Sequence, residues 1–406
     1  MALDFSCRIL YTIICNLSRG ILLFLKRKEP RMKTIIDCVM SVPDPRRGNH
    51  RKHELRDMLF ASLVSVLCGY DSYVAFARFT ELNLEWMRGL GFAFKNGVPS
   101  HDTFRYAFSV VDHGLFSACL RNISDILRSK AGKGNVSIDG KALRRSLNRG
   151  GKTPYIVNAW ADADGIVLGE VKVDEKSNEI TAIPEILRLL GLEGCIVTID
   201  AAGCQKNIMR QVVRDCRADA VLALKDNQKT FHEEMLLLFE KELVASPHLF
   251  AKYEAPAEKN SGRIEKRTCW QTDYIGWFED IDEWHGLRSV IMVEAERRAR
   301  NAQTGEWETS KERRLYASSL KVDAKLAYEV TRKHWGVESM HWTLDVTYGE
   351  DYCRARTRHA AANRASVRRM ALSLTVPWAR RRKCGIRDAR MYAALSKEAR
   401  LEMLTA

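Results

Sequence analysis

The chain of 406 residues carries 65 Lys and Arg against 51 Asp and Glu, a net charge of +14; it is long enough for two or three compact units and suits a polyanionic partner. Its 11 cysteines stand at irregular spacings with no CxxC pair, so neither a zinc ribbon nor a disulfide framework is indicated and a reducing cytoplasm is the expected compartment. The excess charge sits at the ends, +7 over 1–53 and +11 over 352–390, leaving a middle of −4 that keeps its carboxylates; a soluble protein with basic tails would read the same way.

In chain order, 9–25 is apolar, but Asn16, Ser18, Arg19 and Gly20 interrupt it, and a spanning helix needs about twenty uninterrupted apolar residues. No membrane span is expected. Globular patterning begins only after Met32, so 1–31 reads as a leader or an upstream start. After the proline-broken entry SVPDPRRGNHRKHE, the spacing of Met58, Leu59, Leu63, Val64 and Leu67 predicts a helix over 55–68, stopped by Gly69. Further helices are expected over 76–86, after Ser100 as N-cap of a run carrying Phe104, Ala107, Phe108 and Val111, and over 115–127. These define a helical unit, with a Gly- and Lys-rich exit at 130–135.

Strand patterns follow. A short run over 136–139 ends at Asp139, and 155–160 with 166–173 bracket the turn signal ADADG. After a helix over 183–190, the continuous apolar run CIVTI at 195–199 reads as a strand buried on both faces, ending at Asp200. A helix over 208–216 and a strand over 220–224, leading into Lys225, complete an alternation that predicts an α/β core with functional groups at its strand ends. Beyond a helix at 231–243, short strand-like runs over 253–320 form a mainly β insertion. Helix resumes over 324–345, then over 363–374 with Arg364, Arg368 and Arg369 as a basic face, followed by a basic run at 379–383.

Within 331–358, Trp335, Glu338, Trp342 and Asp345 fall on one helical stripe, two aromatics flanking a carboxylate. The stripe could serve a metal or simply be a solvated helix face, and the two tryptophans could stack on an unpaired base or pack in a core. Asp139, Asp200 and Glu338 stand out as carboxylates at strand ends and on a late helix. A strand-end Asp is often only a cap or turn former. If the three converge, they supply the oxygen donors that Mg²⁺ requires, and two such ions about 3.5–4 Å apart can activate an attacking oxygen and stabilise a leaving one.

The blocks SVPDPRR, VPSHDTF, SIDGKALRRS, TIDAAGCQKNI, ALKDNQ, SGRIEKR, HWGVESMHWTLDVTYGEDYCRAR and NRASVRRMAL, in that order, resemble the DDE transposases of bacterial insertion sequences, specifically the ISAs-type group with the H-repeat-associated proteins. The resemblance runs from about 32 to 382. It implies a ribonuclease H-like catalytic core with a β insertion, preceded by a helical domain: 32–132 helical, 133–378 catalytic with its insertion at about 250–320, and 379–406 a basic tail. It also implies Asp139, Asp200 and Glu338 as catalytic acids holding Mg²⁺ (Mn²⁺ as substitute), as two ions. The related signature places Tyr, Arg and Lys where this chain has Thr331, His334 and Asp345, which leaves open which cation meets the DNA phosphate. Candidates for DNA contact are Lys141, Arg144 and Arg145 after the first acid, Lys225, Arg263 in the insertion, Arg332, His334 and His341 around the glutamate, and Arg354 and Arg356 after it. The implied reaction is metal-dependent cleavage of double-stranded DNA at transposon terminal repeats and strand transfer to target DNA, by a homodimer in the bacterial cytoplasm at the nucleoid, without a membrane. A domesticated relative that binds DNA without cutting it is the alternative.

Overall fold

A computed structural model describes residues 34–128, 133–147, 151–173, 179–260, 262–300 and 304–405. The expectations for 1–31 and for the apolar run at 9–25 lie outside these residues, as does half of the predicted exit linker, 130–132. Among the described residues no helix is long and apolar enough to cross a membrane.

Among the described residues six helices come first: α1 (Ile35–Met40), α2 (Leu55–Leu67), α3 (Tyr73–Leu82), α4 (Leu84–Gly89), α5 (His101–Val110) and α6 (His113–Leu127). Four of them, α1, α3, α5 and α6, start at side-chain caps. Ser72 accepts from the Ala75 amide, Ser100 from that of Thr103 and Asp112 from that of Gly114, each satisfying a donor that the first turn leaves open. The single helix expected over 76–86 is two, broken at Asn83, which caps α3 and opens α4.

Next come β1 (Asn135–Ala142), β2 (Tyr155–Ala161), β3 (Ile166–Val173), α7 (Glu179–Leu189), β4 (Ile196–Ile199), α8 (Lys206–Arg210), β5 (Asp219–Leu224) and α9 (Lys229–Ala245). Then β6 (Ala251–Glu254), β7 (Glu258–Asn260), β8 (Arg263–Thr272), β9 (Ser289–Arg300) and β10 (Trp307–Ser318) lead into α10 (Ala324–Lys333), α11 (Trp335–Val346), α12 (Ala360–Arg382), α13 (Ile386–Leu395) and α14 (Lys397–Leu404). The ten strands among the described residues join one mixed sheet in the order β3-β2-β1-β4-β5-β10-β9-β8-β6, with β7 on β8. β1, β4 and β5 run parallel, and their neighbours on either side are antiparallel.

The β segment expected as an insertion is therefore continuous with the core, because β10 pairs with β5 from Ser318 opposite Val221 to Leu315 opposite Leu224. The C-terminal residues also fold back. Ala389, Ala393, Ala399, Met403 and Leu404 are buried in the same apolar cluster as α2, α5 and α6, so charge composition is a poor guide to a segment whose small and apolar residues face inward. α12 crosses the molecule through this cluster and covers β3.

Candidate active site

The parallel ladder fixes the two aspartates. Ile138 on β1 pairs with Ile199 on β4, the last pair of that ladder, so Asp139 and Asp200 follow it side by side. Asp139 is not at the end of its strand, since pairing with β2 continues to Ala142 opposite Tyr155; it sits where the parallel neighbour stops. Asp200 caps a short turn by accepting from the Ala202 amide at 3.0 Å, and Asp139 Oδ1 accepts from the Gly140 amide at 2.8 Å.

A third carboxylate joins them, one that sequence reading does not single out. Oxygen atoms of Asp139, Asp200 and Glu179 all lie within 4.8 Å of one another. Glu179 is the first residue of α7 and is 4 % exposed. Apolar periodicity predicts this helix only from 183, and no spacing rule marks an acid that begins a helix elsewhere in the chain. Gly140 makes its approach possible: a Cβ built there would lie within 3 Å of the Glu179 carboxylate, 2.7 Å from Cδ. The glycine beside Asp139 is thus the available signal.

Glu338 lies in the first turn of α11 and is exposed, outside that close cluster. Its charge nevertheless reaches Asp139. Burial first, then Asp200 and Glu179, and Glu338 least, push the Asp139 carboxyl up to about 7, against a lowering by the Gly140 amide. Among the described residues no lysine or arginine pairs with Asp139 or Asp200; the nearest ring nitrogen, His341 Nδ1, is 3.5 Å from Asp139 Oδ2. Two aspartates held together without a paired lysine or arginine, as hard oxygen donors, fit a divalent ion such as Mg²⁺.

The residues expected to meet DNA divide by exposure. Arg144, Arg145, Lys225, Arg263, Arg354 and Arg356 are exposed, and Arg332 is half-buried against the Trp335 ring, 5.6 Å from its centroid. Three others are not available as cations for phosphate. Lys141 is buried, 2.5 Å from Asp345 and 4.0 Å from Glu350. His334 lies at the break between α10 and α11, 2.9 Å from Thr198 Oγ1, and burial lowers its pKa to about 4. Burial, with Arg369 and Lys141, holds His341 down to about 3, so both rings are neutral at physiological pH. The stripe on α11 also divides: Trp342 is exposed, while Trp335 packs under Arg314 and Arg332.

The expected basic face on α12 is likewise interior. Arg368 and Arg369 are fully buried; Arg364 and Arg368 meet Asp71, and Arg369 meets Glu170 and Glu350. Their partners come from distant segments, so local charge could not announce the pairing.

Comparison with known proteins gives a consistent result. Residues 131–374 match the family described as Transposase DDE domain, and residues 36–123 the one described as DDE_Tnp_1-associated. YncI of Escherichia coli O157:H7, named provisionally as a transposase, is 34% identical over 84% of this chain and 87% of its own length. YhhI of Escherichia coli K12, named provisionally as an H repeat-associated transposase, is 32% identical over 84% of this chain and 90% of its own. A protein of Xanthobacter autotrophicus encoded in the dhlA 3′ region is 39% identical over 70% of this chain and 93% of its own.

Proposed function

This chain belongs to the H-repeat-associated DDE transposases, and from that premise we propose that it cuts phosphodiester bonds at the ends of an insertion sequence and joins the freed ends to target DNA. The observation that carries the reading is the convergence of Asp139, Asp200 and Glu179, with Glu338 near enough to add its charge to theirs. The sheet supports a ribonuclease H-like core: an antiparallel β3-β2-β1 unit followed by parallel β4 and β5. On this reading 32–132 is the associated helical domain, 133–378 the catalytic unit, and 379–406 its C-terminal extension.

Asp139 and Asp200 would hold the divalent ions, with Glu338 as the third catalytic acid of the family pattern and Glu179 as an additional donor. Mg²⁺, or Mn²⁺ in its place, would supply there a Lewis acid that polarises the phosphodiester and lowers the pKa of the attacking water or hydroxyl. The chain's own groups orient and screen. In the first reaction water adds to phosphorus and the bond to the 3′ oxygen breaks, leaving a 3′-hydroxyl and a 5′-phosphate. That hydroxyl then adds to a target phosphorus and displaces the target's own 3′ oxygen, so no external energy source is required.

Exposed Arg144, Arg145, Arg354 and Arg356 cluster in sequence around the acids, with Lys225, Arg263 and Arg332 on other segments; these positions contact phosphate and set DNA register without reading bases. Two ends have to be joined, which makes a homodimer on the bacterial nucleoid the smallest suitable assembly.

The test is cleavage of a labelled duplex bearing the element's own end, with Mg²⁺, by the native chain and by Glu338→Ala and Asp139→Asn forms. Nicking at the end, lost in both variants while duplex binding persists, is the expected result. Equal cleavage by Glu338→Ala would remove Glu338 from the centre, and duplex binding without cleavage by the native chain would favour a DNA-binding relative that has lost its chemistry.

A further inference from the structure

Strand register places a polar row beside the acidic centre. Asp139 on β1 is opposite Asn158 on β2, and Asn158 is opposite Glu170 on β3, so the three side chains stand next to one another on one face of the sheet. Arg369 on α12 reaches into this row: its Nε is 2.5 Å from Asn158 Oδ1 and 3.2 Å from Glu170 Oε2, while a terminal nitrogen is 2.8 Å from Glu350 Oε1.

A guanidinium only donates, so the Asn158 amide must turn its oxygen toward Arg369. Its nitrogen then faces the other way, donating to the Ile156 carbonyl at 3.0 Å and facing His341 Nε2 at 3.3 Å. An N–H aimed at Nε2 requires a lone pair there. The ring proton is therefore on Nδ1, the nitrogen that faces Asp139 Oδ2 at 3.5 Å, a polar contact a little longer than an ordinary hydrogen bond. The other oxygen, Asp139 Oδ1, is taken by the Gly140 amide.

We propose that His341 is a positioning residue, a neutral imidazole locked by Arg369 and Asn158 with its proton on Nδ1, which fixes the rotation of the Asp139 carboxylate toward Asp200. The inference rests on Asp139 being a metal-binding acid. A neutral donor suits that task better than a cation, because it orients the carboxylate without cancelling the charge that a metal ion needs. Lys141, two residues along the strand, is held away by Asp345.

The arrangement is tested on the full chain labelled with ¹⁵N-histidine, where two-bond ¹⁵N–¹H correlation spectra report which ring nitrogen carries the proton; the His341 signal is the one of ten that disappears in His341→Asn. A proton on Nδ1 in the native chain, displaced to Nε2 in Asn158→Asp, is expected. A native ring protonated on Nε2 overturns the inference. A second readout is Mn²⁺ binding without DNA. His341→Ala binds about tenfold or more weakly, His341→Asn, whose amide nitrogen replaces Nδ1, stays within a few-fold of native, and His341→Gln, whose amide replaces Nε2, follows the alanine form. Equal binding by the Ala and Asn forms overturns it as well. Unchanged Mn²⁺ binding in Asp139→Asn overturns the metal-centre reading and this inference with it, whereas loss in Asp139→Asn without loss in His341→Ala overturns this inference alone.

Discussion

Around Asp139, three carboxylates share a small volume, and among the described residues no lysine or arginine pairs with either aspartate. Along the same polar row and under α12, by contrast, Glu170 and Glu350 are met by Arg369, and Asp71 by Arg364 and Arg368. Both regions bury charge. In the second the partners come from within the chain, and the result is a rigid layer that ties the helical half to the sheet. In the first, counter-charge for the aspartates has to arrive from outside, and the chain carries that unfavourable term as a binding site.

The contrast breaks most sharply at Arg369. Replacing it with Met leaves Glu170 and Glu350, both fully buried, without their principal cation, and removing one partner of a buried pair costs about 3–5 kcal/mol. Denaturant unfolding of Arg369→Met should show that loss; a change under about 1 kcal/mol would mean that the layer is not what holds the two halves together.

Asp139→Asn should act in the opposite direction. The folded carboxyl titrates at about 7 against an ordinary 3.8, so between those values the folded chain binds more protons than the unfolded one, and stability falls as pH rises through the window. Below pH 4 the variant and the native chain should unfold alike; at pH 8, without metal, the variant should be the more stable, by at most about 4 kcal/mol. Saturating Mg²⁺ should raise the native midpoint and leave that of the variant nearly unmoved. An Asn variant that loses stability at pH 8 would show that Asp139 is a structural acid.

Smaller still is the effect expected at Gly140. A methyl there must displace the Glu179 carboxylate. Gly140→Ala and Glu179→Gln should each weaken Mn²⁺ binding by about tenfold in calorimetry, and their double mutant should be little worse than either, since both remove the same donor. Additive losses would separate the glycine from Glu179.

The apolar runs ending at Asp139 and Asp200 are legible because a buried parallel strand has a composition of its own, and Ser100 is legible as a cap because capping is local. The β segment reads as strand, but its joining of the core sheet depends on β10 finding β5, a pairing set by register across some ninety residues. Glu179 escapes sequence reading because it reaches the site from a helix start, and His341 reads as a cation because sequence gives the residue type and omits the desolvation that decides its charge.

The same omission sets up the last test, on two runs of arginine that look alike in sequence. Arg354 and Arg356 are exposed, while Arg368 and Arg369, a few turns later, are interior. If burial and not charge assigns their roles, Arg354→Ala and Arg356→Ala should leave unfolding stability within about 0.5 kcal/mol of native. They should weaken duplex binding similarly for all sequences, and each should reduce the slope of log affinity against log salt by about 0.9, as expected when one fewer phosphate is neutralised. A sequence-dependent loss would place these arginines at base edges instead, and an unchanged slope would move the DNA track off this side of α11, toward Lys225 and Arg263.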